Sequence, residues 1–113
     1  MSRQPLIYAN VKRLTESGSV TTGVGVLFSL LIGTDGVNDP VVAVYDDTDA
    51  ATAANRIIPS ITYDASALGL NGVVLQFAKK FTTGLYVNIT NIGSGEVSVD
   101  YRKENDMSPY KFM

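Results

Sequence analysis

Leu85-Tyr86-Val87-Asn88-Ile89-Thr90 and Glu96-Val97-Ser98-Val99-Asp100-Tyr101 alternate apolar and polar side chains with a period of two. Successive side chains of a strand point to opposite faces, so this period predicts half-buried β-strands. One core-facing set is Leu85, Val87 and Ile89; another is Val97, Val99 and Tyr101. Tyr86, Asn88, Thr90, Glu96, Ser98 and Asp100 then face outward. Gly93-Ser94-Gly95 reverses the chain between the two runs. Val73, Leu75 and Phe77 form a third inward set, with Gln76 on the opposite face.

The rest of the chain agrees with this class. Val, Ile and Thr number 13, 7 and 10 of 113 residues, and such β-branched side chains fit a pleated surface better than a helix. The patterning predicts strands over 7–14, 25–32, 41–46, 56–63, 73–78, 84–90 and 95–102, and Gly18 to Gly25 has room for an eighth, short strand around Val20. Asp35-Gly36 and Asn71-Gly72 supply hairpin-type or tight turns, and Thr83-Gly84 marks a further reversal. Asp64-Ala65-Ser66-Ala67-Leu68-Gly69 reads as one helical turn, capped by Asp64 and ended by Gly69 in the αL conformation. The small-residue connection 46–55 has room for a short helix capped by Asp49. These elements predict an all-β, antiparallel sandwich, jelly-roll or Ig-like, of about 7–8 strands. One domain over 1–102 is expected, with 1–6 as an N-terminal arm and 103–113 as a charged, then aromatic, tail.

Two strands lack a polar face. In Val24-Gly25-Val26-Leu27-Phe28-Ser29-Leu30-Leu31-Ile32, strict alternation places Val26, Phe28, Leu30 and Ile32 on one face and Leu27 and Leu31 on the other. Val41-Val42-Ala43-Val44-Tyr45 is apolar throughout. A lone sandwich would leave one of these faces wet, which predicts a homo-oligomer, a trimer foremost, or docking on a partner. Leu27 and Leu31 are the expected contact residues on the domain. Pro5 and Leu6 at one end, with Tyr110 and Phe112 at the other, are the expected anchors of the two arms.

Composition excludes much chemistry. The chain has no His and no Cys, which removes Ser-His and Cys-His nucleophiles, thiol redox work, disulfides and ordinary zinc sites. A net charge of −2 argues against phosphate-driven nucleic-acid binding. Charged residues make up only 18%, and the mean hydropathy of +0.12 is too high for a disordered chain. The nine-residue apolar run is too short for a membrane helix, which needs about 20 residues, and no signal-peptide region is apparent. Asp46, Asp47 and Asp49 cluster without a calcium-loop pattern, and are expected to cap turns rather than hold a metal. Gly23-Val24-Gly25 lacks the helix of a phosphate-binding loop. No catalytic residue, cofactor or metal is therefore expected. The six tyrosines offer stacking surfaces, but packing within the core or an interface is the expected use.

Three segments carry a family resemblance. They are Ile32-Gly33-Thr34-Asp35-Gly36-Val37-Asn38-Asp39-Pro40-Val41-Val42-Ala43-Val44-Tyr45-Asp46, then Ile58-Pro59-Ser60-Ile61-Thr62-Tyr63-Asp64-Ala65-Ser66-Ala67-Leu68-Gly69-Leu70-Asn71-Gly72, and Gly84-Leu85-Tyr86-Val87 with the alternating strand that ends at Tyr101. Together they resemble small tailed-bacteriophage virion proteins of the capsid decoration or cement type. The resemblance spans roughly residues 11–102 and is a pattern of strands and turns, so it transfers no functional residue. It implies a β-sandwich that oligomerises on a particle surface, with the major capsid protein or another virion protein as partner. The alternative expectation is a host-surface carbohydrate- or receptor-binding module of a tail or baseplate.

Overall fold

The computed structural model describes residues 10–104. The apolar runs form β1 (Asn10–Leu14), β2 (Gly18–Thr22), β3 (Gly25–Gly33), β4 (Val41–Tyr45), β5 (Arg56–Thr62), β6 (Val73–Phe81), β7 (Gly84–Thr90) and β8 (Glu96–Lys103). The room for an eighth strand around Val20 is filled by β2. The last strand runs through Lys103, one residue past the expected domain boundary, and the Glu104 amide still bonds the Val24 carbonyl at 2.8 Å.

The chain is folded in half about the β4–β5 connection. β4 pairs β5, β3 pairs β6, β2 pairs β7 and β1 pairs β8, all antiparallel. Rolling this long double strand adds the pairs β3 with β8 and β4 with β7. Two four-stranded sheets result, ordered β1-β8-β3-β6 and β2-β7-β4-β5. This is the eight-stranded jelly roll, which decides between the two sandwich types left open by the sequence. Among β1–β8 only β4 and β5 pair as consecutive strands; each of the other connections between them crosses from one sheet to the other. Asp35-Gly36, Asn71-Gly72 and Thr83-Gly84 therefore lie in arches between sheets, not in hairpins.

Between the sheets lies one apolar core. Leu85, Val87, Ile89, Val97 and Val99 are buried in it, and Val73, Leu75, Phe77 and Tyr101 pack partly against it, as the alternation requires. Strict alternation fails in β3. Phe28 is an extra residue relative to β8: Leu27 faces Tyr101, yet Ser29 faces Asp100. This bulge shifts the phase, so Leu27 joins Leu30 and Ile32 in the core with no exposed surface. Leu31 remains outside, 42% exposed. The expected common face of Leu27 and Leu31 does not exist.

The helical turn forms as α1 (Ala65–Leu68), and the Asp64 carboxylate accepts from the Ser66 and Ala67 amides. Gly69 ends it with positive φ but with ψ at −145°, outside the αL well expected, and opens a 3₁₀ turn, Gly69–Asn71. In the 46–55 connection a 3₁₀ turn spans Ala53–Asn55. It is preceded by Thr52, not capped by Asp49. Asp47 orders this loop instead, accepting from the Thr48 amide at 2.7 Å and from Asn55 Nδ2 at 3.1 Å.

Candidate interaction surface

The outer face of the β1-β8-β3-β6 sheet is built from the side chains that alternate away from the core. Register places Val11 beside Asp100, Arg13 beside Ser98, and Leu31 between Ser98 and Val74. Its polar members pair with one another. Ser29 donates to Asp100 at 2.8 Å, and Arg13 meets Glu96 at 3.3 Å. The Arg102 guanidinium covers the Phe28 ring, 4.8 Å from its centroid, which shields a ring that the bulge turns outward. Arg102 Nε is buried there without a hydrogen-bond partner. The Leu31–Val74 pair has no such cover, and Val74 is 57% exposed.

On the other sheet, the second face of β4 is already covered. Val42 and Val44 point into the core. Ala43 and Tyr45 alternate away from them and yet are 1% and 6% exposed. The chain itself buries this face, so the expectation that it stays wet without a neighbour is overturned; Val41 is half-buried.

One end of the sandwich carries two more exposed aliphatics, Val37 and Leu70. Thr34 Oγ1 donates to the Gly69 carbonyl at 2.5 Å, tying the β3–β4 arch that carries Val37 to the 3₁₀ turn that carries Leu70. Asp35 organises the same end. Its carboxylate accepts from the Val37 and Asn38 amides, from Asn38 Nδ2 and from the Ser94 amide. The Asn38 and Val37 bonds hold its pKa far below the carboxylate range. Gly93 has positive φ, and a side chain there would run into the Asp35 carboxylate.

At the opposite end Asp46 plays the same part. It accepts from the amides of Thr82, Thr83 and Gly84 and from the Thr82 hydroxyl. Burial raises its pKa, but the bonds from Thr82, Thr83 and Gly84 outweigh this and lower it. The side-chain bond from Asn55 and the Asp49 amide likewise lower Asp47. Among the described residues no cluster of three or more acidic groups has metal-holding geometry. These carboxylates are occupied by backbone donors, which suits bracing of loops. A depression lined by Gly23, Val24, Lys103 and Glu104 encloses about 160 Å³ and is open to solvent. Small-molecule sites commonly enclose about 300–1,000 Å³.

The expected contact residues thus part company. Leu31 is on the surface beside Val74, Leu27 is in the core, and Pro5, Leu6, Tyr110 and Phe112 lie outside the described residues. The sequence reading missed Val74, Val11, Val37, Ile61 and Leu70. Val74 was legible, because it alternates with inward Val73 and Leu75. Val37 and Leu70 sit in turns, where no periodicity marks the exposed side. No family model, curated protein or solved structure matches the chain.

Proposed function

We propose that this chain is a non-enzymatic virion structural protein, a decoration or cement protein that stabilises an assembled head. Its partner is the major capsid protein or another virion protein, and it acts on the particle surface as a small homo-oligomer. The observation that carries this reading is the kind of apolar surface left exposed. Among the described residues the exposed large apolar side chains are all aliphatic: Val11, Leu31, Val37, Ile61, Leu70 and Val74. The rings of Phe28, Tyr45, Tyr63, Phe77, Phe81, Tyr86 and Tyr101 are buried or half-buried. Sugar sites stack their ligands on exposed rings, whereas aliphatic patches serve protein contacts. This favours protein docking over the host-carbohydrate alternative. The carboxylates spent on loop bracing support a scaffold role. The jelly roll fits a virion protein, being an architecture of viral coats as well as of lectins and cupins.

A ligand that binds only the assembled particle stabilises it by mass action. The test is to purify particles from cells that make this chain, quantify its copy number against the major capsid protein, and measure the temperature of genome release with and without it. The expected result is a stoichiometric complement and a lower release temperature in its absence. Equal heat stability overturns the cement role, and binding of the isolated protein to host envelopes then supports the host-surface alternative. Deleting residues 105–113, which spares Lys103 and Glu104 in the β8 pairing, tests the arm anchors: full occupancy by the shortened chain removes Tyr110 and Phe112 from the contact.

A further inference from the structure

We propose that the free edge of β6 pairs antiparallel with β6 of a second copy of this chain about a two-fold axis, joining two sheets into one of eight strands. The inference does not depend on the virion reading. A sheet edge presents unpaired N–H and C=O groups, and proteins guard such edges with brevity, charge, proline or bulges. Among the described residues the two sheets have four edges, and three of them are guarded. β1 has five residues, including exposed Lys12 and Arg13; β2 has five residues and a register shift; β5 carries Pro59. β6 is an edge of nine residues. Its guards, a register shift between Gln76 and Lys79 and the charges of Lys79 and Lys80, stand only at its far end, and register with β3 is unbroken over 73–76. In the unguarded stretch Val74 is exposed on one face, while Val73 and Leu75 are only partly covered on the other. The strand therefore leaves apolar side chains uncovered on both sides of an open edge.

Charge selects a second copy in antiparallel orientation. The segments at the start of β6, residues 33–40 and 62–72, contain Asp35, Asp39 and Asp64 and no Lys or Arg. Asp39 and Asp64 are exposed. The end of β6 carries Lys79 and Lys80, and neither has an ion-pair partner among the described residues. A two-fold axis at Val74 or Leu75 sets Lys79 and Lys80 of each copy alongside residues 68–71 of the other, next to the helical turn capped by Asp64. Each basic end then meets an acidic end, twice. Val74, with Leu31 behind it, is covered by the same contact. The symmetry is two-fold, in contrast to the trimer expected from the sequence.

Sedimentation velocity on the full chain tests this. The expected species is a dimer that dissociates when salt rises from about 0.1 M to about 1 M, as the Debye length falls from about 10 Å to about 3 Å. Val74→Lys should yield a monomer, while Val11→Lys, an equally exposed change at the other edge of the sheet, should leave the dimer intact. Should Val74→Lys lose its folded circular-dichroism spectrum, the exposed Lys79→Glu/Lys80→Glu double variant decides, and is expected to be monomeric. A wild-type monomer at high concentration, a trimer, or a dimer that survives these changes overturns the proposal. None of these outcomes bears on particle binding.

Discussion

The carboxylate of Asp46 receives both the amide and the hydroxyl of Thr82, at 3.0–3.1 Å, across 36 residues of chain. Asp46 follows β4 in one sheet, and Thr82 follows β6 in the other. One side chain thus ties an end of the sandwich together. Asp46→Ala leaves the Thr82, Thr83 and Gly84 amides without this acceptor. Charged hydrogen bonds are worth about 1.5–3 kcal/mol, and solvent access reduces that here to about 1–2 kcal/mol. The expected result is a fall in denaturant midpoint with an unchanged m-value, and Asp46→Asn should recover part of it. Unchanged stability in Asp46→Ala would show that water replaces the carboxylate at no cost.

Leu27 and Leu31 are four residues apart and should respond differently to truncation. Leu27→Ala empties a fully buried site and should cost about 2–5 kcal/mol. Leu31→Ala, on the exposed face, should change stability by less than about 1 kcal/mol. Equal costs in urea titrations would mean that the bulge at Phe28 is misplaced.

Val99 and Ser98 test the register of β8. Val99 has no exposed surface, so Val99→Asp places an unpaired charge in the core and should abolish folding. Ser98 lies on the outer face beside Arg13, and Ser98→Asp should be mild. Proteolysis of the two variants reads this directly, and the reverse ranking would mean a one-residue slip.

Acid should unfold the protein only at low pH. The folded-state pKa values of Asp35, Asp46, Asp47 and Asp64 lie below the ordinary 3.8. A depressed pKa contributes stability that is fully present above the unfolded value and is lost as pH falls through the folded value. Stability should therefore decline below about pH 4, and with no His it should stay level across the neutral range. At the alkaline end, burial raises the pKa of Tyr63 above 10, so its contribution is lost as pH rises past that value. Thermal melts from pH 2 to 11 check both limbs; a step near pH 6 would contradict this account.

Much of this fold is local and was therefore legible. Side-chain direction in a strand depends on the residue's own parity, so Leu85, Val87 and Ile89 could be assigned inward from six residues of sequence. The Asp64 cap likewise involves partners two and three residues away. Of the surface, the alternation marked Leu31 but paired it with the wrong neighbour.

What the sequence by itself determined is the set of strands, their inward faces, the capped turn and the absence of His and Cys chemistry. Tertiary structure alone decided the rest. Phe28 is an extra residue only relative to β8, so the parity of Leu27 cannot be known until β8 is beside it. The choice of jelly roll over other sandwiches rests on which strands pair, and a hydrophobic face does not name its partner. Asp35 and Asp46 looked like ordinary loop acids, because the amides of Ser94 and Thr82 reach them only after the sheets have closed. The edge of β6 is of the same kind: every strand has two edges, and only the completed sheet shows which one has no neighbour among the described residues.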